Sequence, residues 1–372
     1  MRYLSLLVIA IFSFSCSQKG NNAEEKEFQF AYTVDTVMVD SGEDFIFLKF
    51  GLNVAAISSD KKLLYNLNPT NFQLEVIDLE SLKLSNRIQL EKEGPTGIGN
   101  PRALNISQDG KFHFLTFSDV RVFDSSLETM EAIKFRKENF ENLAVGESLG
   151  FNLTLSDDGK KGYVEYGPDD EEKAKKGLAV LNLQNLELKT IPLEIYSRIQ
   201  PYVRSFYQDG QLQTRTIEST YIDQAGERVL ISSPNFNEVY ILDQKTDSIS
   251  HKIFHSSLTS DYKKVPEITS FESVEEMRAA FQKENEEITF SRFYYDDFNE
   301  KFWRFSRELD RKIGDSSVFK AVVTIYDKDL NQKHEAIFPD NIFGFQFFKD
   351  GKLWSYVNVD DELGFAVFTF EF

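Results

Sequence analysis

Apolar and polar residues alternate with a period of two through most of the chain, in segments such as Lys111-Phe112-His113-Phe114-Leu115-Thr116-Phe117. That period predicts β-strands rather than helices. The segments come in hairpins. A polar turn, Ser107-Gln108-Asp109-Gly110-Lys111 in one copy, precedes an alternating strand, and a later strand ends in an acidic turn such as Ile77-Asp78-Leu79-Glu80-Ser81-Leu82 or Tyr326-Asp327-Lys328-Asp329-Leu330. The Asp-Gly pairs supply the positive φ that tight hairpins need. Aligning the first turns places Asp60, Asp109, Asp158, Ala225, Asn299 and Asp350 at one position of successive units, 49, 49, 67, 74 and 51 residues apart by subtraction of their numbers. Repetition on this scale with fixed turn chemistry predicts an all-β, six-bladed β-propeller.

The sixth unit begins at Lys349-Asp350-Gly351-Lys352, and the chain ends at Phe372 before a fourth strand. The strand Phe365 to Phe370 would be third from the axis. A β-rich segment at the other terminus, Phe28 to Val39, is expected to supply the outermost strand and close the ring, pairing both ends and removing an exposed edge. One insertion reads as helical. Ser273-Val274-Glu275-Glu276 is a capping box, and Val274, Met277, Phe281 and Ile288 share a face, which predicts a short helix ahead of blade five. A charged insertion between Gly167 and Gly177 reads as a solvated hairpin tip.

The N-terminus is patterned differently. Arg2, an apolar run from Tyr3 to Phe14 and small residues before Cys16 form a signal-peptide pattern, too short for a permanent span. Ser13-Phe14-Ser15-Cys16 resembles a bacterial lipoprotein box, with Ser13 where such boxes usually carry Leu. Cys16 is the only cysteine in the chain, so no internal disulfide can form. The expected layout is a signal peptide over residues 1–16 lipidated at Cys16, a tether over 17–27 and one propeller domain over 28–372. The anchor would hold the protein at the outer membrane. A net charge of −18 excludes a nucleic-acid partner, since affinity for that backbone rests on clustered Lys and Arg.

Chemistry is sparse. Gly146-Glu147-Ser148-Leu149-Gly150 has the spacing of a nucleophile elbow, but the strand-like Phe151-Asn152-Leu153-Thr154-Leu155 follows where a helix is required. His113 lies inside a strand, and His251 and His255 flank a segment of strand period, so a metal pair on one helix face is not formed. No cofactor, metal or catalytic residue is implied. One set remains. Seven residues before each aligned turn stand Asn53, Arg102, Phe151, Glu218, Arg292 and Phe343, near the starts of the innermost strands, where a propeller opens its channel. The polar members Asn53, Arg102, Glu218 and Arg292 are candidate ligand-binding residues for a carboxylated or sulfated glycan or a peptide terminus. The competing role is a structural ion pair, for instance Glu218 with Arg292. Trp303 and Trp354, on matching second strands, are expected to pack between blades.

The Cys16 box, the six hairpins and the run Tyr294-Tyr295-Asp296-Asp297-Phe298-Asn299-Glu300-Lys301-Phe302-Trp303-Arg304-Phe305 resemble Bacteroidota lipoproteins of unknown function with six-bladed propeller folds. The resemblance implies fold and location and carries no activity. The expected role is a binding or interaction module for a glycan or protein ligand. An enzyme, a glycan hydrolase, lyase or lactonase using the channel, is the alternative, and a ring with one acid, Glu218, argues for binding.

Overall fold

A computed structural model describes residues 30–135, 140, 142–170, 173–218, 220–338 and 344–371. Cys16, the proposed tether, Phe28 and Phe343 lie outside these residues. The described chain is nearly all β. Six antiparallel sheets follow one another along it, each with its strands in sequence order, except that the last recruits the first strand of the chain. Sheet one comprises Ala55–Ile57, Leu63–Asn68, Gln73–Asp78 and Lys83–Gln89. Sheet six comprises Gln346–Lys349, Lys352–Val359 and Glu362–Glu371, with Ala31–Met38 as its fourth strand. The N-terminal strand pairs along its whole length with the chain's last strand, Ala31 opposite Glu371 and Met38 opposite Gly364.

The cores lie between sheets. Leu67 and Leu74 of sheet one meet Leu104 and Phe114 of sheet two, and Leu115 and Val120 meet Val164 and Ala179 of sheet three. Tyr163 and Leu178 meet Val229 and Tyr240 of sheet four, whose Leu230 and Val239 meet Phe302 and Tyr326 of sheet five. Trp303 and Phe305 meet Phe348 and Phe368 of sheet six. Finally Leu363 and Phe365 of sheet six meet Leu64 and Ile77 of sheet one. Each sheet thus buries both faces against its two neighbours in a propeller-like cycle, the solution to strands that are apolar on both sides.

The repeated turns are built alike. Ser58, Ser107 and Ser156 donate to Asp60, Asp109 and Asp158 at 2.5–2.6 Å, which pins the first hairpin of each unit. Gly159, at φ 68°, cannot be replaced cheaply, because a Cβ there would stand 2.6 Å from Nε2 of His113. His113 is therefore a packing residue in the wall of the next unit's turn. Ser148 lies within the strand Glu147–Leu149, so no nucleophile elbow forms. Trp303 is fully buried, as the strand pattern predicted.

Since strands alternate in direction, three features share one end of every sheet: the start of the innermost strand, the loop from second to third strand, and the connection to the next sheet. We call this the connection face. All the insertions emerge there. Helix α1 (Glu194–Ile199) and a hairpin, Arg204–Gln208 with Gln211–Thr216, stand between sheets three and four. The strand Ser270–Phe271 and helix α2 (Val274–Glu284) stand between sheets four and five. Ser273 caps α2 by accepting from the Glu276 amide at 3.2 Å, as the capping box predicted. The N-terminal strand begins at the opposite end, beside Glu371.

Candidate functional site

The four polar residues expected around the channel mouth sit at the connection face but do not contact one another. Asn53 is exposed in the turn before sheet one. Glu218 is held by Lys263, whose Nζ stands 3.2 Å from Oε1. Arg292 meets Asp223 of the neighbouring sheet at 3.3 Å, so the expected Glu218–Arg292 pair is replaced by two others. The reason is local. Arg292 lies where the pairing of Thr289–Asp296 slips by one residue, and Asp223 is buried on the strand beside it. Burial pushes the Asp223 carboxyl up from its ordinary value, with the Arg292 charge opposing.

Arg102 differs from the other three. It precedes the strand Ala103–Ile106, which it starts by donating its amide to Leu115 at 2.7 Å. Its guanidinium lies 4.2 Å over the ring of Phe117 and reaches Phe151 O and Asn152 Oδ1 of sheet three, both at 3.4 Å. Among the described residues no carboxylate is paired with it, and hydrogen bonds of this length are weak. Phe117 and Phe151 are 60% and 64% exposed and touch edge to face at 5.8 Å. The innermost strand of sheet three supplies this geometry, being split into Glu147–Leu149 and Thr154–Leu155. The residues between the pieces carry Phe151 and Asn152 outward. A guanidinium with free donor capacity, two exposed rings and an amide converge on one patch. Such a patch can hold a carboxylate bidentately and stack an apolar ring face.

A second feature is a cleft of about 1040 Å³ at the same face, between helix α2 and residues 264–272. Arg204 lines it, is buried at 5% exposure and is ion-paired with Glu284. Lys263, also buried, stands 3.6 Å from Glu284. Two cations and two carboxylates, Glu218 included, therefore close on themselves. Burial of these charges is tolerable only because each has a partner. Among the described residues no group of three or more His, Cys, Asp or Glu is placed to hold a metal.

The model of DUF4221, a domain of unknown function, matches residues 27–337. The chain belongs to the DUF4221 family. A solved DUF4221 member from Bacteroides vulgatus is 16% identical, covers 92% of this chain and 98% of its own, and superposes with a TM-score of 0.67. A Bacteroides fragilis protein, 9% identical, covers 91% and 95% with a TM-score of 0.52. At these identities both likenesses speak to fold alone. No curated protein matches the chain significantly in sequence.

For this DUF4221 chain, the alignment of turns singled out Arg102 and gave Phe151 a place beside it without a binding role. It missed Phe117, Asn152, Arg204 and Lys263. Asp209-Gly210 was a legible hairpin signal for the Arg204 insertion, and both residues adopt positive φ, 52° and 74°. Phe117 ends an alternating strand beside a Ser-Asp turn, and nothing in that pattern tells an exposed ring from a buried one.

Proposed function

We propose that this DUF4221 protein is a lipid-anchored binding module of the cell envelope whose connection face takes an anionic ligand, a carboxylated glycan or a peptide terminus, through Arg102. The observation that carries the reading is the pose of Arg102: stacked on exposed Phe117, beside exposed Phe151, and without a carboxylate partner among the described residues. Arg292 and Glu218 are neutralised by Asp223 and Lys263, so they shape the rim while Arg102 makes the charged contact. Strand direction is compatible with an anchor at Cys16. Phe30 leaves the ring at the end opposite the connection face, and the 13 residues between Cys16 and Phe30 extend at most about 45 Å. A lipid on Cys16 would thus join the ring at the end opposite the Arg102 patch.

Binding to an array of carboxylated and neutral oligosaccharides tests the reading. Arg102→Ala should weaken carboxylate binding about ten-fold, the worth of a charge-assisted contact, and Arg102→Lys should restore part of it. Phe117→Ala should weaken it less, and added salt should act in the same direction as Arg102→Ala. Carboxylate binding unchanged in Arg102→Ala would remove this site. For the anchor, Cys16→Ser should move the protein from membrane to soluble fractions.

A further inference from the structure

Helix α2 has no buried residue, although helices of this length draw most of their stability from a packed apolar face. Phe281 rests on the strand Ser270–Phe271 through Phe271. The neighbouring stripe, Ala279 and Ala280, faces the 1040 Å³ cleft. Across the cleft, Val265 and Ile268 are 56% and 61% exposed. The cleft is thus apolar at its centre and charged at its margin. Arg204 and Lys264 on that margin are paired with Glu284 and Glu287. Among the described residues Glu267, Glu272 and Glu276 carry no such pair, and neither does Lys283, the one other cation of the lining. The margin therefore favours a cationic occupant.

The backbone of the cleft wall indicates an extended chain. The strand Ser270–Phe271 runs parallel to Arg204–Gln208 at the edge of its sheet, with Ser205 opposite Ser270 and the Ser205 amide donating to Thr269 at 2.8 Å. In a parallel ladder that register turns the Ser270 amide and carbonyl to the open side. Edges of this kind accept an added strand.

We infer that this cleft is a docking groove for an extended segment of a partner protein in which basic residues alternate with small apolar ones. The chain's own N-terminal segment is a poor occupant, because it leaves from the opposite end of the ring and carries Glu24, Glu25 and Glu27. A second copy, also at net charge −18, is repelled.

The test uses the full chain and a fluorescein-labelled octapeptide alternating Lys and Val, followed by anisotropy, with an alternating Glu-Val octapeptide beside it. The Lys-Val peptide should bind and the Glu-Val peptide should not. The combined change Glu267→Gln, Glu272→Gln and Glu276→Gln should weaken binding about ten-fold. Removing the same charge elsewhere, by Glu128→Gln, Glu131→Gln and Glu187→Gln, should leave it within about two-fold. Ala280→Trp, which fills the cleft, should abolish binding while the melting temperature stays near that of the parent. Should Ala280→Trp unfold the insertion, the two charge variants still decide. Equal loss in both charge variants would reduce the effect to long-range attraction, and absence of binding to the parent chain, or full binding by a folded Ala280→Trp, would overturn the groove.

Discussion

Trp303, between sheets five and six, is fully buried against Phe348 and Phe370 at ring distances of 5.6 and 4.2 Å, whereas helix α2, over the connection face, buries none of its residues. The ring is held by apolar surface shared between neighbouring sheets. Helix α1 shares in that surface through Ile195, Tyr196 and Ile199, but around α2 the insertion adds to buried Phe271 mainly Arg204, Lys263, Glu218 and Glu284, a charge network of small net stabilising value. The contrast separates a region that must be rigid from one free to adapt, since segments with few buried apolar contacts open at low cost.

The hardest way to break the contrast is to open the ring. Removing residues 17–27 should leave the melting temperature nearly unchanged, while removing 17–40 takes away the strand Ala31–Met38 and buried Val39. It also exposes the edge of Glu362–Glu371 and should abolish cooperative unfolding. If both truncations melt alike in calorimetry, the N-terminal strand contributes nothing to the ring. A single side chain should show the same ordering. Trp303→Ala should cost about 3–5 kcal/mol in urea denaturation. Val274→Ala on α2, at 39% exposure, should stay within about 0.5 kcal/mol.

The same contrast explains what could be read from the sequence. Hairpins of the ring repeat one turn chemistry, so Asp60, Asp109 and Asp158 reported both the strands and their spacing, and the missing fourth strand of sheet six pointed to the N-terminus. The cap at Ser273 was legible because capping is local. Which partner a charged residue takes is not local. Arg292 chose Asp223 over Glu218 because a slip in strand pairing and the burial of Asp223 decided it, and neither leaves a trace in spacing. The cleft was invisible for the same reason: its walls come from residues 204, 264–272 and 276–287, brought together only by the fold.

Removing Glu284 sharpens the comparison from the insertion side. Among the described residues, Glu284→Gln leaves Arg204 and Lys263 with only Glu218 to share. The cost should be about 2 kcal/mol, between the buried and exposed limits because Glu284 retains 14% exposure. It should be local. Limited proteolysis should cut within 255–288 several times faster while the ring's melting temperature moves little. A cooperative drop of the whole transition would mean that the insertion and the ring unfold as one unit.

The smallest effect distinguishes the two ends of the ring by pH. At the turn end, Asp124 accepts from the Thr129 hydroxyl at 2.6 Å, the Ser126 hydroxyl at 2.9 Å and the Glu128 amide at 3.1 Å. The Thr129 bond foremost, then that of Ser126, holds its carboxyl down at about 2 from an ordinary 3.8. Its folded value lies below the unfolded one, so its contribution is complete above pH 4 and fades as pH falls toward 2. Glu165, which accepts from the Thr220 hydroxyl at 2.5 Å near the connection face, runs the other way. Burial raises its carboxyl, so the folded state retains the proton and loses stability as pH climbs past the ordinary glutamate value. Melting curves across pH 2–7 should therefore show Asp124→Asn lying below the parent at neutral pH and converging with it near pH 2. Glu165→Gln should approach or pass the parent as pH rises. Parallel curves for Asp124→Asn at every pH would show that its turn is held by shape rather than by the ionised carboxylate.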